Sequence, residues 1–169
     1  MSMQCGENER AAGGLIVDIG KKQTTFYLGT EEIHSTDFGM EVLNNAIIEH
    51  IKRCHKLSIK ERAAEDIAMR ISCVSREIPG EDAMNVTGCD LQSGLPKTIH
   101  VTDAEINGAL QAPLAKLLQA IRDQLIKCSP ELGGQIITHG IMLTGCGAAL
   151  RGLDKLILRE TAIPVVVNK

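Results

Sequence analysis

The stretch from Ile136 to Val167, IITHGIMLTGCGAALRGLDKLILRETAIPVVV, constrains this chain more than any other. Ile141-Met142-Leu143-Thr144 is an apolar run of strand length, and Gly145 and Gly147 punctuate the residues after it. Leu150, Leu153, Leu156 and Ile157 then recur at helical spacing, and Ile163-Pro164-Val165-Val166-Val167 reads as a second strand. Strand, glycine turn, helix, strand is a βαβ unit, so its strands run parallel in a covered sheet. Glycines between a strand and a helix also let backbone N–H groups approach an anion at the positive helix end. A Gly-x-Gly pair is also explained by a tight turn alone. The residues leave both readings open.

The rest of the chain supplies partners for that unit. Gly14 to Gly20 is an apolar strand with one acid, Asp18, near its end. Lys21-Lys22-Gln23 turns the chain, Thr24 to Leu28 is rich in β-formers, and after a second turn Ile33 to Thr36 makes a third strand, completing an antiparallel meander. Met40, Leu43, Ile47, Ile51 and Cys54 fall on one helical face. Ser58-Ile59-Lys60-Glu61 has the form of a capping box opening a second helix, with Ile59, Ala63, Ile67 and Ile71 as its stripe. Met84 to Cys89 and Thr98 to Val101 read as strands around a polar loop. Thr102-Asp103-Ala104-Glu105 is a second capping box, opening a long helix through Ile106, Leu110, Leu114, Leu117, Ile121 and Leu125. Pro113 predicts a kink or break inside it, and Ser129-Pro130-Glu131 its end. The class is α/β with a mixed sheet. Residues 1–12 are expected to be a disordered tail, 13–169 one domain, and about 57–105 a small inserted α+β lobe.

Composition narrows the function. The net charge of −3 indicates no broad basic surface for nucleic acid, and two Phe, one Tyr and no Trp leave little for base stacking. No apolar run approaches the ~20 residues that span a bilayer, and the polar start lacks the apolar stretch of a signal peptide. A cytoplasmic location without membrane insertion is expected. None of the six cysteines forms a Cys-x-x-Cys pair, so each is expected to be a small buried residue or a free thiol. The five histidines show no ligand spacing and no evident acidic partner. No Gly-x-Ser-x-Gly occurs, which leaves nucleophilic catalysis without support.

Asp18 carries the clearest chemistry. A carboxylate at the end of a buried strand can hold Mg²⁺ beside a nucleotide phosphate, or it can cap the following turn. Thr24 and Thr25 can donate to a phosphate, and Thr is also a good strand residue. Lys21 and Lys22 can attract a phosphate or stay solvated.

Two segments fall into one frame. VDIGKKQTT near the start and IMLTGCGAALRGLDKLILRETAIPVVV near the end resemble the second phosphate motif and the adenosine motif of the actin-like ATPases, and most closely the MreB family of bacterial actins. FGMEVLNNAIIEHIKR, GCDLQSGLPKTIHVTDAEINGALQAPL and IKCSPELGGQIITHGIMLTG resemble the family in the same order. The resemblance covers about residues 13–168 and corresponds to the second half of such proteins. It implies an actin-like, ribonuclease-H-like fold and a cytoskeletal role in cell shape through ATP-linked filament assembly, with self or MreB-type subunits as partners. It also implies ATP and Mg²⁺ as ligands. The nucleotide would be bound by Asp18, Gly20, Thr24, Gly145, Cys146 and Gly147, and the metal by Asp18.

The chain also departs from that pattern. Lys21 and Lys22 replace glycines of the phosphate motif, and Gln23 stands where Thr is usual. Gly39-Met40-Glu41 replaces Gly-Gly-Asp. Ala68 and Arg70 stand where the family's ribose- and base-binding Lys and Glu align, and Cys146 replaces the middle glycine of three. These changes suggest a partly eroded site and a chain not catalytically active alone. They raise two alternatives: a non-catalytic actin-like module that binds or caps MreB-type filaments, and a decayed product with no independent role.

Overall fold

The computed structural model describes residues 14–29, 31–70 and 82–168. The expected tail at 1–12, and Ile71 of the second helical stripe, lie outside the described residues. The chain divides into two compact units. The first takes the chain up to Met40, Lys116–Ala149, and Leu153 onward; the second takes Glu41–Ala115 and Leu150–Gly152.

The first unit is built on a five-stranded sheet. β1 (Leu15–Ile19), β2 (Thr24–Leu28) and β3 (Glu31–Thr36) form the antiparallel meander. β7 (Ile141–Thr144) joins β1 in parallel, and β8 (Val165–Val167) joins β7 in parallel. The strand order is therefore β3-β2-β1-β7-β8, and the sheet is mixed, as the βαβ reading requires. Leu15, Ile16, Val17 and Ile19 are all buried, so β1 is covered on both faces, the usual condition of a central strand with parallel pairing.

The second unit holds a three-stranded sheet, β4 (Leu57–Ser58), β5 (Ala83–Asp90) and β6 (Pro96–Thr102), in that order and antiparallel throughout. It also holds most of α1 (Met40–His55), whose Leu43, Ile47 and Ile51 are buried while Cys54 at the end of the predicted stripe is exposed. α2 (Glu61–Arg70) buries Ala64, Ile67 and Ala68. α3 (Asp103–Lys127) starts in this unit and ends in the first.

Four expectations need correction. Ser58 does not cap α2. It pairs with Cys89 in β4, which commits its backbone to the sheet, and the first helical bond of α2 runs from the Ala64 N–H to the Lys60 carbonyl. The second capping box is half formed: the Thr102 hydroxyl accepts from the Glu105 N–H at 3.3 Å, but the Glu105 carboxylate is held elsewhere. Pro113 does not break α3, which runs on to Lys127. A proline removes one rung of the ladder, and the buried Leu110, Leu114 and Leu117 hold the helix on either side of it. Ser129-Pro130-Glu131 both ends α3 and opens an unforeseen helix, α4 (Pro130–His139). Ser129 is its N-cap, accepting from the Leu132 N–H, with Pro at the first helical position. A short 3₁₀ turn (Cys146–Ala149) and α5 (Leu153–Thr161) complete the chain.

Candidate functional site at the β1 and β7 strand ends

β1 and β7 are parallel neighbours, and their chains depart in opposite directions, β1 to β2 and β7 through α5 to β8. Such a switch point leaves a crevice at the carboxyl ends of the strands, where open α/β sheets take ligands. Asp18 stands there, level with Thr25 on β2 and Thr144 on β7. It is half-buried and makes no hydrogen bond or ion pair among the described residues.

The glycines around Asp18 are dictated by contact. Gly145 has φ +86°, and a side chain there would run into Asp18 Oδ1 and the Ile19 carbonyl. A Cβ on Gly147 would press into Ile19 and would lie 3.4 Å from the Met40 sulfur. Cys146 between them is exposed, and its thiol donates to the Ile19 carbonyl at 3.5 Å. Gly20 closes the other turn, its N–H donating to the Gln23 carbonyl at 2.8 Å. Lys21, Lys22 and Gln23 are exposed.

Thr24 is brought to the same corner but is fully buried, and its hydroxyl donates to the Phe38 carbonyl at 2.8 Å. That proton is committed to holding the turn. A half-buried carboxylate without a partner among the described residues, beside a glycine turn packed closely against it, has the chemistry to take a divalent cation and a phosphate group. Asp18 would hold the cation. The backbone of Gly145 to Gly147 would face the anion, whereas the Gly20 N–H is already committed to the Gln23 carbonyl.

A strap that sequence reasoning missed crosses this corner. The Phe38 N–H donates to the Thr36 hydroxyl at 3.0 Å. The Cβ position of Gly39 lies 2.5 Å from the Lys21 carbonyl oxygen. The Met40 N–H donates to the Gly20 carbonyl at 3.0 Å. No local pattern announces the strap, because its partners in both turns are distant in sequence; only the unusual Gly39-Met40 pair marks the place.

Ala68 and Arg70 belong to α2 of the second unit, Ala68 buried and Arg70 exposed. The histidines need a correction there too. Glu105 Oε1 lies 2.9 Å from His50 Nε2 and 2.5 Å from His55 Nε2, so two histidines share an acidic partner that sequence distance concealed. Burial pushes the Glu105 carboxyl up, and hydrogen bonds from His55 and His50, with their charge, outweigh it and hold the group below its ordinary value. No group of three or more His, Cys, Asp and Glu among the described residues is placed to hold a metal ion. Cys54, Cys89, Cys128 and Cys146 are free, and none of these four is fully buried. No helix among the described residues is long and apolar enough to cross a membrane.

A model of the MreB/Mbl protein family matches residues 5–169. The chain belongs to the MreB/Mbl family. It is 36% identical over 165 residues to the cell shape-determining protein Mbl of Bacillus subtilis (strain 168), covering 92% of this chain and 48% of that protein. It is 36% identical over 163 residues to the cell shape-determining protein MreB of Escherichia coli (strain K12), covering 93% of this chain and 46% of that one. The crystal structure of MreB5 of Spiroplasma citri bound to AMPPNP superposes with a TM-score of 0.87 at 26% identity, covering 98% of this chain and 51% of MreB5. The fold is thus actin-like, and the chain spans about half the length of the MreB/Mbl relatives it matches.

Proposed function

We infer that this MreB/Mbl-family chain binds the phosphate end of ATP with Mg²⁺ at the β1–β7 corner and serves in a cytoskeletal filament that directs cell shape. The observation that carries the reading is Asp18, half-buried at a switch point, without a partner among the described residues, with Gly145 pressed against its carboxylate. Asp18 would orient the cation, the Gly145–Gly147 backbone would receive the phosphates, and Gly20 would hold the β1–β2 turn through its bonds to Gln23 and Met40. Thr24 supports the turn from beneath through Phe38. Filament partners would be further copies of the chain or other MreB-type subunits, in the cytoplasm, without nucleic acid or membrane insertion. The names of the relatives and the AMPPNP complex of MreB5 support this reading.

Titrating the purified chain with a fluorescent ATP analogue and Mg²⁺, beside Asp18→Ala, tests it. Saturable binding that the substitution abolishes is the expected result. No binding up to millimolar ligand, or binding indifferent to Asp18→Ala, would refute the assignment.

A further inference from the structure

Met40 lies where the two turns of this corner meet. Its backbone N–H donates to the Gly20 carbonyl at 3.0 Å, which fastens it to the β1–β2 turn. Its thioether faces the other turn, its sulfur 3.4 Å from where a Cβ added to Gly147 would lie. The side chain is buried, only 5% exposed. Immediately before it, Gly39 lies flat on the Lys21–Lys22 backbone, and Phe38 takes the Thr24 hydroxyl proton. A residue with a backbone N–H and a side chain of this bulk can touch both turns from this position.

We propose that Met40 is a positioning residue, locking the β1–β2 turn to the Gly145–Gly147 turn so that both sides of the phosphate corner are held as one piece. Ile19 makes Gly147 necessary, Met40 packs beside the same face at ordinary contact distance, and a truncated Met40 would leave that face without contact on one side. The second turn would then open on its own while β1 and β7 stay paired. The consequence for ligand binding rests on the nucleotide reading; the tie between the turns does not.

Cys146 is a native reporter, since its exposed thiol sits in the turn that Met40 holds. Iodoacetamide labelling of the full chain, resolved by mass spectrometry, gives the rate at Cys146 relative to Cys54, an exposed thiol of the second unit. Met40→Ala is expected to raise this ratio roughly fivefold by freeing a local opening. Met40→Leu keeps the bulk and is expected to leave it within about twofold. Should Met40→Ala fail to fold, Met40→Val also removes the thioether and carries the same expectation. An unchanged ratio in the truncated variant, or an equal rise in Met40→Leu, overturns the proposal. Adding the Mg-bound ATP analogue to the unaltered chain reads the ligand separately. Slower Cys146 labelling supports nucleotide at this corner, and unchanged labelling removes the nucleotide reading while the variants still decide the tie.

Discussion

The turn after β1 and the turn after β7 sit at neighbouring strand ends and solve the same crowding problem differently. After β7 the glycines are in the turn itself, because Gly145 and Gly147 lie against Asp18 and Ile19. After β1 the turn carries Lys21 and Lys22, both exposed, and the glycine is in the strap that crosses it, at Gly39. A glycine is needed on whichever chain has a neighbour where its Cβ would be. Two exposed lysines in this turn therefore do not crowd it, since the close approach is made by Gly39 of the strap.

Substitution at Gly145 should break this comparison most severely. Gly145→Ala meets both a positive φ and the atoms of Asp18 and Ile19. It is expected to cost about 3 kcal/mol, read as a lower denaturant midpoint of the first unit. Gly39→Ala meets the Lys21 carbonyl without a positive φ, so about 2 kcal/mol is expected in the same measurement. A smaller loss at Gly145 than at Gly39 would show that the strap, and not the β7 turn, is the more rigid wall. The least effect belongs to the double variant Lys21→Ala, Lys22→Ala. Both side chains are exposed, and stability should change by no more than about 0.5 kcal/mol in thermal unfolding. A loss well above that would mean the lysines hold the turn themselves.

Local pattern makes most of this fold legible. Alternation and apolar runs mark β1, β2, β5, β6 and β7, and helical spacing marks α1 and α3. α4 is hard to see because Ile136 is its only fully buried residue and Gly133 and Gly134 lower helical preference, although Ser129-Pro130-Glu131 is a readable start signal. Ser58 misleads because a capping pattern competes with strand pairing, and the partner, Cys89, is distant in sequence. At the corner, Asp18, Gly20, Gly145 and Gly147 are readable from their motifs. The role of Thr24 beneath the turn, the seat of Gly39 and the reach of Met40 are not, since each depends on a contact that exists only after the sheet has formed.

The five-stranded sheet has two unlike borders. β3 exposes Glu31, Glu32 and His34, and a new strand pairing there would have to strip water from charge. β8 offers three valines, with Val166 54% exposed, and no such guard. A strand approaching the β8 border would meet apolar side chains, where one approaching β3 would meet charge.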